Sequence, residues 1–156
     1  MKEADVSNST FIALHLSSLL TPTSWIFNTA ASSHMTSNKD LFDQLQPHHR
    51  IVRTGDTSPL SAEGMGSLII NKMLPDRSLS RVRIKEVLYV PSLRCSVFSW
   101  RAVCKKGGVR MVAEGRKIRL WKENEMILEA EMNGNLFYIR EKIIDIALTM
   151  STISTP

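Results

Sequence analysis

Asn28 stands at the end of an apolar run, Trp25-Ile26-Phe27, and five small residues follow it: Thr29, Ala30, Ala31, Ser32 and Ser33. Short side chains directly behind an apolar strand leave the backbone open to close approach by a ligand or a second chain. An amide at that point offers an acceptor oxygen and two N–H donors, but it cannot take up a proton at ordinary pH. The acids nearest in sequence are Asp40, Asp43 and Asp56. None of them ends an apolar strand followed by small residues, so none is expected to supply a carboxylate in its place. His34 lies near the loop as a would-be base, and His48-His49 as a would-be metal pair. Without further ligands at useful spacing, these are expected to be surface or structural histidines. Cys95 and Cys104 form no CxxC pair, which excludes zinc-knuckle and zinc-ribbon chemistry; no metal and no cofactor is expected.

These residues need elements to position them. Residues 24–28 read as a strand. Residues 37–45 predict a short helix, capped by Ser37 or Asn38, with Leu41, Phe42 and Leu45 on one face. From residue 49 the pattern is that of a long hairpin with a bend at Gly55-Asp56. Its returning arm, "LSAEGMGSLIIN", carries Gly64 and Gly66, which mark close backbone approach. Residues 80–91 form a long strand with Val82 and Ile84 on one face and Arg81, Arg83 and Lys85 on the other. Val87 and Tyr89 then switch parity, which predicts a bulge near Lys85-Glu86.

Residues 96–108 predict a helix capped by Ser96, with Val97, Trp100 and Cys104 near one stripe and Gly107 or Gly108 as its stop. Strands are expected at 109–113, 117–121, 126–131 and 135–140, with Asn133-Gly134 the clearest hairpin turn. Trp25, Trp100 and Trp121 suit core or interface anchors. Short strands with Gly, Pro and Asn turns predict an all-β fold, a closed or nearly closed barrel with one internal helix.

Composition sets outer bounds. A chain of 156 residues with 43% hydrophobic content supports one core. The net charge of +5 allows contact with nucleic acid or an acidic surface, although solvated lysine and arginine are the simpler expectation. No apolar run approaches the roughly 20 residues a membrane helix needs, and no membrane partner is expected. "FIALHLSSLL" (11–20) is broken by His15 and Ser17-Ser18, and Lys2 is offset by Glu3 and Asp5, so it is not read as a signal segment. Two thiols without a framework fit a reducing compartment. The expected organisation is an extended lead-in at 1–23 with one strand at 11–16, a β-barrel domain at 24–140, and a C-terminal helix and tail at 141–156.

The ordered set of motifs resembles the aspartic protease of Copia-type retrotransposon polyproteins. "WIFNTAASSHMT" is similar to that family's active-site segment: Trp, two apolar residues, Asp-Ser/Thr-Gly/Ala-Ala-Ser, one residue, His-Met. "DLF" (40–42), "GD" (55–56) and "GMGSLII" (64–70) follow in register. "VLYVPSLRCSVFS" (87–99) looks like the family's Val-Leu-Tyr-Val-Pro, a spacer, then Asn-Leu-Leu-Ser, and "LFYI" (136–139) looks like its closing Leu-Tyr-x-Leu. The resemblance covers residues 24–140.

It implies a retropepsin-like closed β-barrel with additional C-terminal hairpins. It also implies a homodimer in which each subunit supplies one catalytic Asp. Such carboxylates sit about 3 Å apart and share one proton. One acts as base toward water while the other holds the substrate carbonyl. Asn28 occupies the position of that Asp; the plainer alternative, a turn residue that only bonds the local backbone, stays open beside it. Thr29 would give the loop-supporting hydroxyl, Ala30 and Ala31 the close approach, and Gly64, Met65 and Gly66 the substrate-covering flap. Two amides and no carboxylate predict a folded, catalytically inactive domain: a fragment of a retrotransposon Pol polyprotein, in a cytoplasmic, virus-like-particle setting. Two alternatives stay open. One is an active polyprotein-processing endopeptidase captured as an Asp-to-Asn variant. The other is a non-catalytic module that holds a peptide, or RNA through Arg81, Arg83 and Lys85; a solvated sheet face is the simpler expectation for that stripe. Dimerisation stays open as well, since the strands at 109–140 could complete the barrel within one chain.

Overall fold

The computed structural model describes residues 25–53, 58–73, 79–139 and 142–143. The lead-in at 1–23 with its expected strand at 11–16, the bend at Gly55-Asp56 and the tail after residue 143 lie outside the described residues. The elements run β1 (Trp25–Asn28), β2 (Met35–Thr36), a 3-10 turn (Lys39–Leu41), β3 (Phe42–Val52), β4 (Leu60–Met73), β5 (Leu79–Tyr89), β6 (Ser96–Ser99) and α1 (Trp100–Lys106). Then follow β7 (Val109–Glu114), β8 (Lys117–Lys122), β9 (Glu125–Asn133), β10 (Leu136–Ile139) and β11 (Lys142–Ile143).

The strands form one sheet in the order β11-β4-β5-β2-β6-β1-β10-β9-β8-β7, with β3 on the outer edge of β4. Most neighbours are antiparallel, but β1 runs parallel to β6, and β2 parallel to β5. All four residues of β1 are buried. A strand with neighbours on both edges and cover on both faces reads as a continuous apolar run, which explains Trp25-Ile26-Phe27. Trp25 and Phe27 enter the main core with Leu68, Ile84, Phe98, Leu120 and Leu128. Ile26 points the other way, onto Cys95.

Leu68 and Ile84 come from one end of the strand order and Leu120 and Leu128 from the other, so the sheet curls until its two ends share a core. Among the described residues no ladder joins β7 to β3, β4 or β5, and the expected closed barrel is therefore an open, curled sheet. Side chains of α1, Trp100 and Val103, pack against the core, Val103 at that seam.

Three local expectations change. The helix predicted at 37–45 shrinks to the 3-10 turn, capped by Asn38, whose Oδ1 accepts the N–H of Asp40 at 3.1 Å. From Phe42 the chain pairs with β4 instead, and ladder bonds outweigh a marginal helix. The helix predicted at 96–108 starts at Trp100, because Ser96–Ser99 runs beside β1 and buries Val97 and Phe98. Where a helix is expected to open at 141, Lys142–Ile143 pairs with Ile70 and Asn71 of β4.

The bulge near Lys85-Glu86 is present. Lys85 and Glu86 together oppose Ser67 alone, and Glu86 takes φ 59°. The last hairpin turns one residue later than predicted: Asn133 pairs with Leu136, and Gly134 takes φ 61° at the first turn position.

Candidate functional site

The small residues behind β1 form a tight loop built on Asn28. Its Oδ1 accepts the backbone N–H groups of Ala30 at 2.7 Å and Ala31 at 3.0 Å. The amide is 7% exposed, so those bonds are held away from competing water. With the oxygen committed, the other head atom is Nδ2, a donor with no lone pair to offer a proton. Thr29 is exposed and Ala30 half-buried.

The far side of the loop is tied to β6 and α1. The hydroxyl of Ser99 donates to the carbonyl of Ala31 at 2.5 Å and accepts the N–H of Ala102 at 3.0 Å, which makes it the helix cap. The N–H of Ser99 donates to Nδ1 of His34 at 3.0 Å. An Nδ1 that accepts a bond must be unprotonated, so the imidazole is neutral with its proton on Nε2. Burial, then the nearby Lys106 charge, lowers the His34 pKa to about 4, with Glu86 opposing. His34 packs against Phe98, ring centres 4.6 Å apart, and is a structural residue of the core. The sequence leaves its place open between surface and core. Ser99 was missed, since the expected cap was Ser96; the motif "VLYVPSLRCSVFS" does end on Ser99.

Ala31 shares a core cluster with Met35, Ala62 and Leu88, against which Leu60 and Met65 pack. The turn end of the β3–β4 hairpin thus rests on the same apolar patch as the Asn28 loop. Gly64 and Gly66 lie mid-strand in β4, paired on both edges. A Cβ on Gly66 would stand 1.8 Å from the carbonyl oxygen of Gln44, so the close approach there is by β3. Register runs Met65–Leu88–Met35–Val97–Ile26 across the sheet, which puts Met65 four strands from β1, roughly 19 Å along its surface.

Arg81, Arg83 and Lys85 are exposed on β5. Arg83 pairs with Asp43 and reaches Ser67 Oγ at 3.1 Å. This explains why Asp43 is not available to the Asn28 loop. A cavity of about 430 Å³ opens beside these residues, between β5, α1 and β7–β9. Burial pushes the Cys95 thiol up to about 11, far from thiolate chemistry at neutral pH. His48 and His49 sit on β3, and among the described residues no three His, Cys, Asp or Glu side chains converge as a metal cage.

Comparison with known proteins adds two findings. A family model described as "Pol polyprotein, beta-barrel domain" matches residues 25–108, more than half of the chain. The "Retrovirus-related Pol polyprotein from transposon TNT 1-94" of Nicotiana tabacum is 29% identical over 120 residues, which is 76% of this chain and 9% of that relative's length. No solved structure matches.

Proposed function

The chain belongs to the Pol polyprotein β-barrel domain family, and from that premise we propose that it is the aspartic-protease-like portion of a Copia-type retrotransposon Pol polyprotein, silenced at Asn28. The observation that carries this reading is the pair of bonds from Ala30 and Ala31 to Asn28 Oδ1. They hold the side chain at the tip of a small-residue loop in the manner a catalytic carboxylate would need. A carboxylate there would keep a second oxygen to accept a proton from water; the amide has only an N–H₂ group.

In this reading two copies meet at their Asn28 loops, with Thr29 and Ala30 at the contact, and the β3–β4 hairpin through Gly64, Met65 and Gly66 carries the flap. The retropepsin-like barrel would be completed by the dimer contact and the C-terminal hairpins rather than by a ladder across the seam. The setting is the reducing cytoplasm, consistent with Cys95 and Cys104 as free thiols.

The test is Asn28→Asp, assayed against peptides spanning the junctions of its own polyprotein. The variant is expected to cut in a pepstatin-sensitive manner while the natural chain does not. Cutting by the natural chain would overturn the silent reading. Failure of both forms would mean that Asn28 is not what silences the domain.

A further inference from the structure

The seam that keeps the sheet from closing has the chemistry of a peptide groove. Its walls are apolar: Val82 and Ile84 of β5, Val103 of α1, Val109 of β7, and Leu120 and Leu128 of the facing strands. Its rim is cationic: Arg81, Arg83, Lys85, Lys106 and Lys122 line it, and among the described residues no acidic side chain does. Two of these cations are neutralised outside the cavity, Arg83 by Asp43 and Lys106 by Glu86 at 3.2 Å. Arg81, Lys85 and Lys122 have no carboxylate partner among the described residues. They come from two strands that meet only through the curl of the sheet.

A third feature concerns the backbone. β5 is paired along its length with β4, but on its other edge β2 reaches only Leu88 and Tyr89. Among the described residues, the stretch 81–86 therefore presents an open strand edge beside the cavity. An open edge accepts an added strand, whose alternate side chains fall on opposite faces.

We propose that this seam binds an extended peptide of alternating aliphatic and acidic residues, added along the open edge of β5. The aliphatic side chains fill the cavity of about 430 Å³, and the carboxylates meet Arg81, Lys85 and Lys122. Asn28 does not line this site, although His34, which fastens its loop, lines the cavity, and neither the family nor the proteolytic reading requires the site. Single-stranded nucleic acid fits the charge but not the walls. Base stacking needs exposed rings, and the two rings that line the cavity, His34 and Phe98, are 5% and 4% exposed.

The probe is a fluorescein-labelled peptide, Glu-Val-Glu-Leu-Glu-Val-Glu, followed by polarisation against the full chain, with the all-Lys counterpart and an oligouridine competitor. The acidic peptide is expected to bind at least tenfold more tightly than the basic one, with affinity falling as salt rises. The double change Lys85→Glu, Lys122→Glu alters exposed residues only and should reverse that preference. Val103→Trp, checked for folding by circular dichroism, should weaken the acidic peptide at least fivefold by filling the cavity. Equal binding of both peptides, or an unchanged preference in the charge-reversed chain, overturns the proposal. So does oligouridine binding more tightly than the acidic peptide at the same residues. Because Asn28 takes no part, these outcomes are independent of the Asn28→Asp assay.

Discussion

Nδ1 of His34 accepts the backbone N–H of Ser99 at 3.0 Å, and through that bond the loop behind Asn28 is fastened to the junction of β6 and α1. The two residues are 65 positions apart in sequence. The same Ser99 hydroxyl closes the loop at Ala31 and caps the helix at Ala102. One residue thus positions the small-residue loop, the buried imidazole and the first turn of α1.

His34 makes folding pH-dependent. Its folded pKa, about 4, lies below the unfolded value of 6.5 because burial, and then Lys106, disfavour the charged ring. The unfolded chain binds the extra proton between those values. The stability is therefore fully present above pH 6.5 and is lost as pH falls toward 4, by on the order of 3 kcal/mol. Urea midpoints measured from pH 7.5 to 4.5 should fall steeply for the natural chain. For His34→Gln the slope in that window should be clearly shallower; equal slopes would exclude His34 as the source.

Ser99→Ala removes a helix cap and leaves the carbonyl of Ala31 buried without its donor. Loss of a cap costs about 1 kcal/mol, and a stranded buried acceptor costs about 1–3 kcal/mol more. Chemical denaturation is expected to show a combined loss of about 2–4 kcal/mol. A loss below about 0.5 kcal/mol would show that the hydroxyl does not hold the loop.

Gly66 and Gly64 should differ sharply as alanines. On Gly66 a Cβ meets the Gln44 carbonyl oxygen at 1.8 Å, backbone that cannot step aside without breaking the β3–β4 ladder. On Gly64 the nearest atom is Leu45 Cδ1 at 2.8 Å, the end of a side chain that can rotate. Gly66→Ala is expected to lose about 3 kcal/mol or more, and Gly64→Ala about 1–2 kcal/mol, on the scale of core overpacking. Thermal midpoints of the two purified variants check the order.

Glu123 turns the β8–β9 hairpin with φ 54°, a conformation that crowds the Cβ of any L side chain. Its side chain is exposed. Glu123→Gly removes the crowding at the cost of a freer unfolded chain. A net gain of about 0.5–1 kcal/mol is expected from urea unfolding. A loss would mean that the carboxylate holds the turn by contacts of its own.

Much of the fold was legible residue by residue. Alternation fixed β5 and its bulge, since Val82 and Ile84 face one way and Val87 the other, and the turn residues between β7 and β10 fell within one position of where they occur. The Asn28 loop was legible too, because small residues behind an apolar strand are a local signal. What failed was local preference against burial. Ser96 and Val97 read as the start of a helix, yet in the protein they lie beside Trp25 and Ile26 in a parallel pair, and covering Val97 and Phe98 outweighs the helical alternative.

The sequence alone determined the character of position 28: an amide, donor at one end and acceptor at the other, in a loop too small-sided to exclude a close neighbour. It also determined the basic stripe at Arg81, Arg83 and Lys85. Tertiary structure decided what each meets. It brought Asp43 to Arg83 from 40 positions away, set Ser99 against His34, and, among the described residues, left the seam between β5 and β7 without a ladder. The reason is physical: strand propensity and turn chemistry act between near neighbours in the chain, whereas strand order and the curl of the sheet come from burying one shared core, a condition that no short stretch of residues carries by itself.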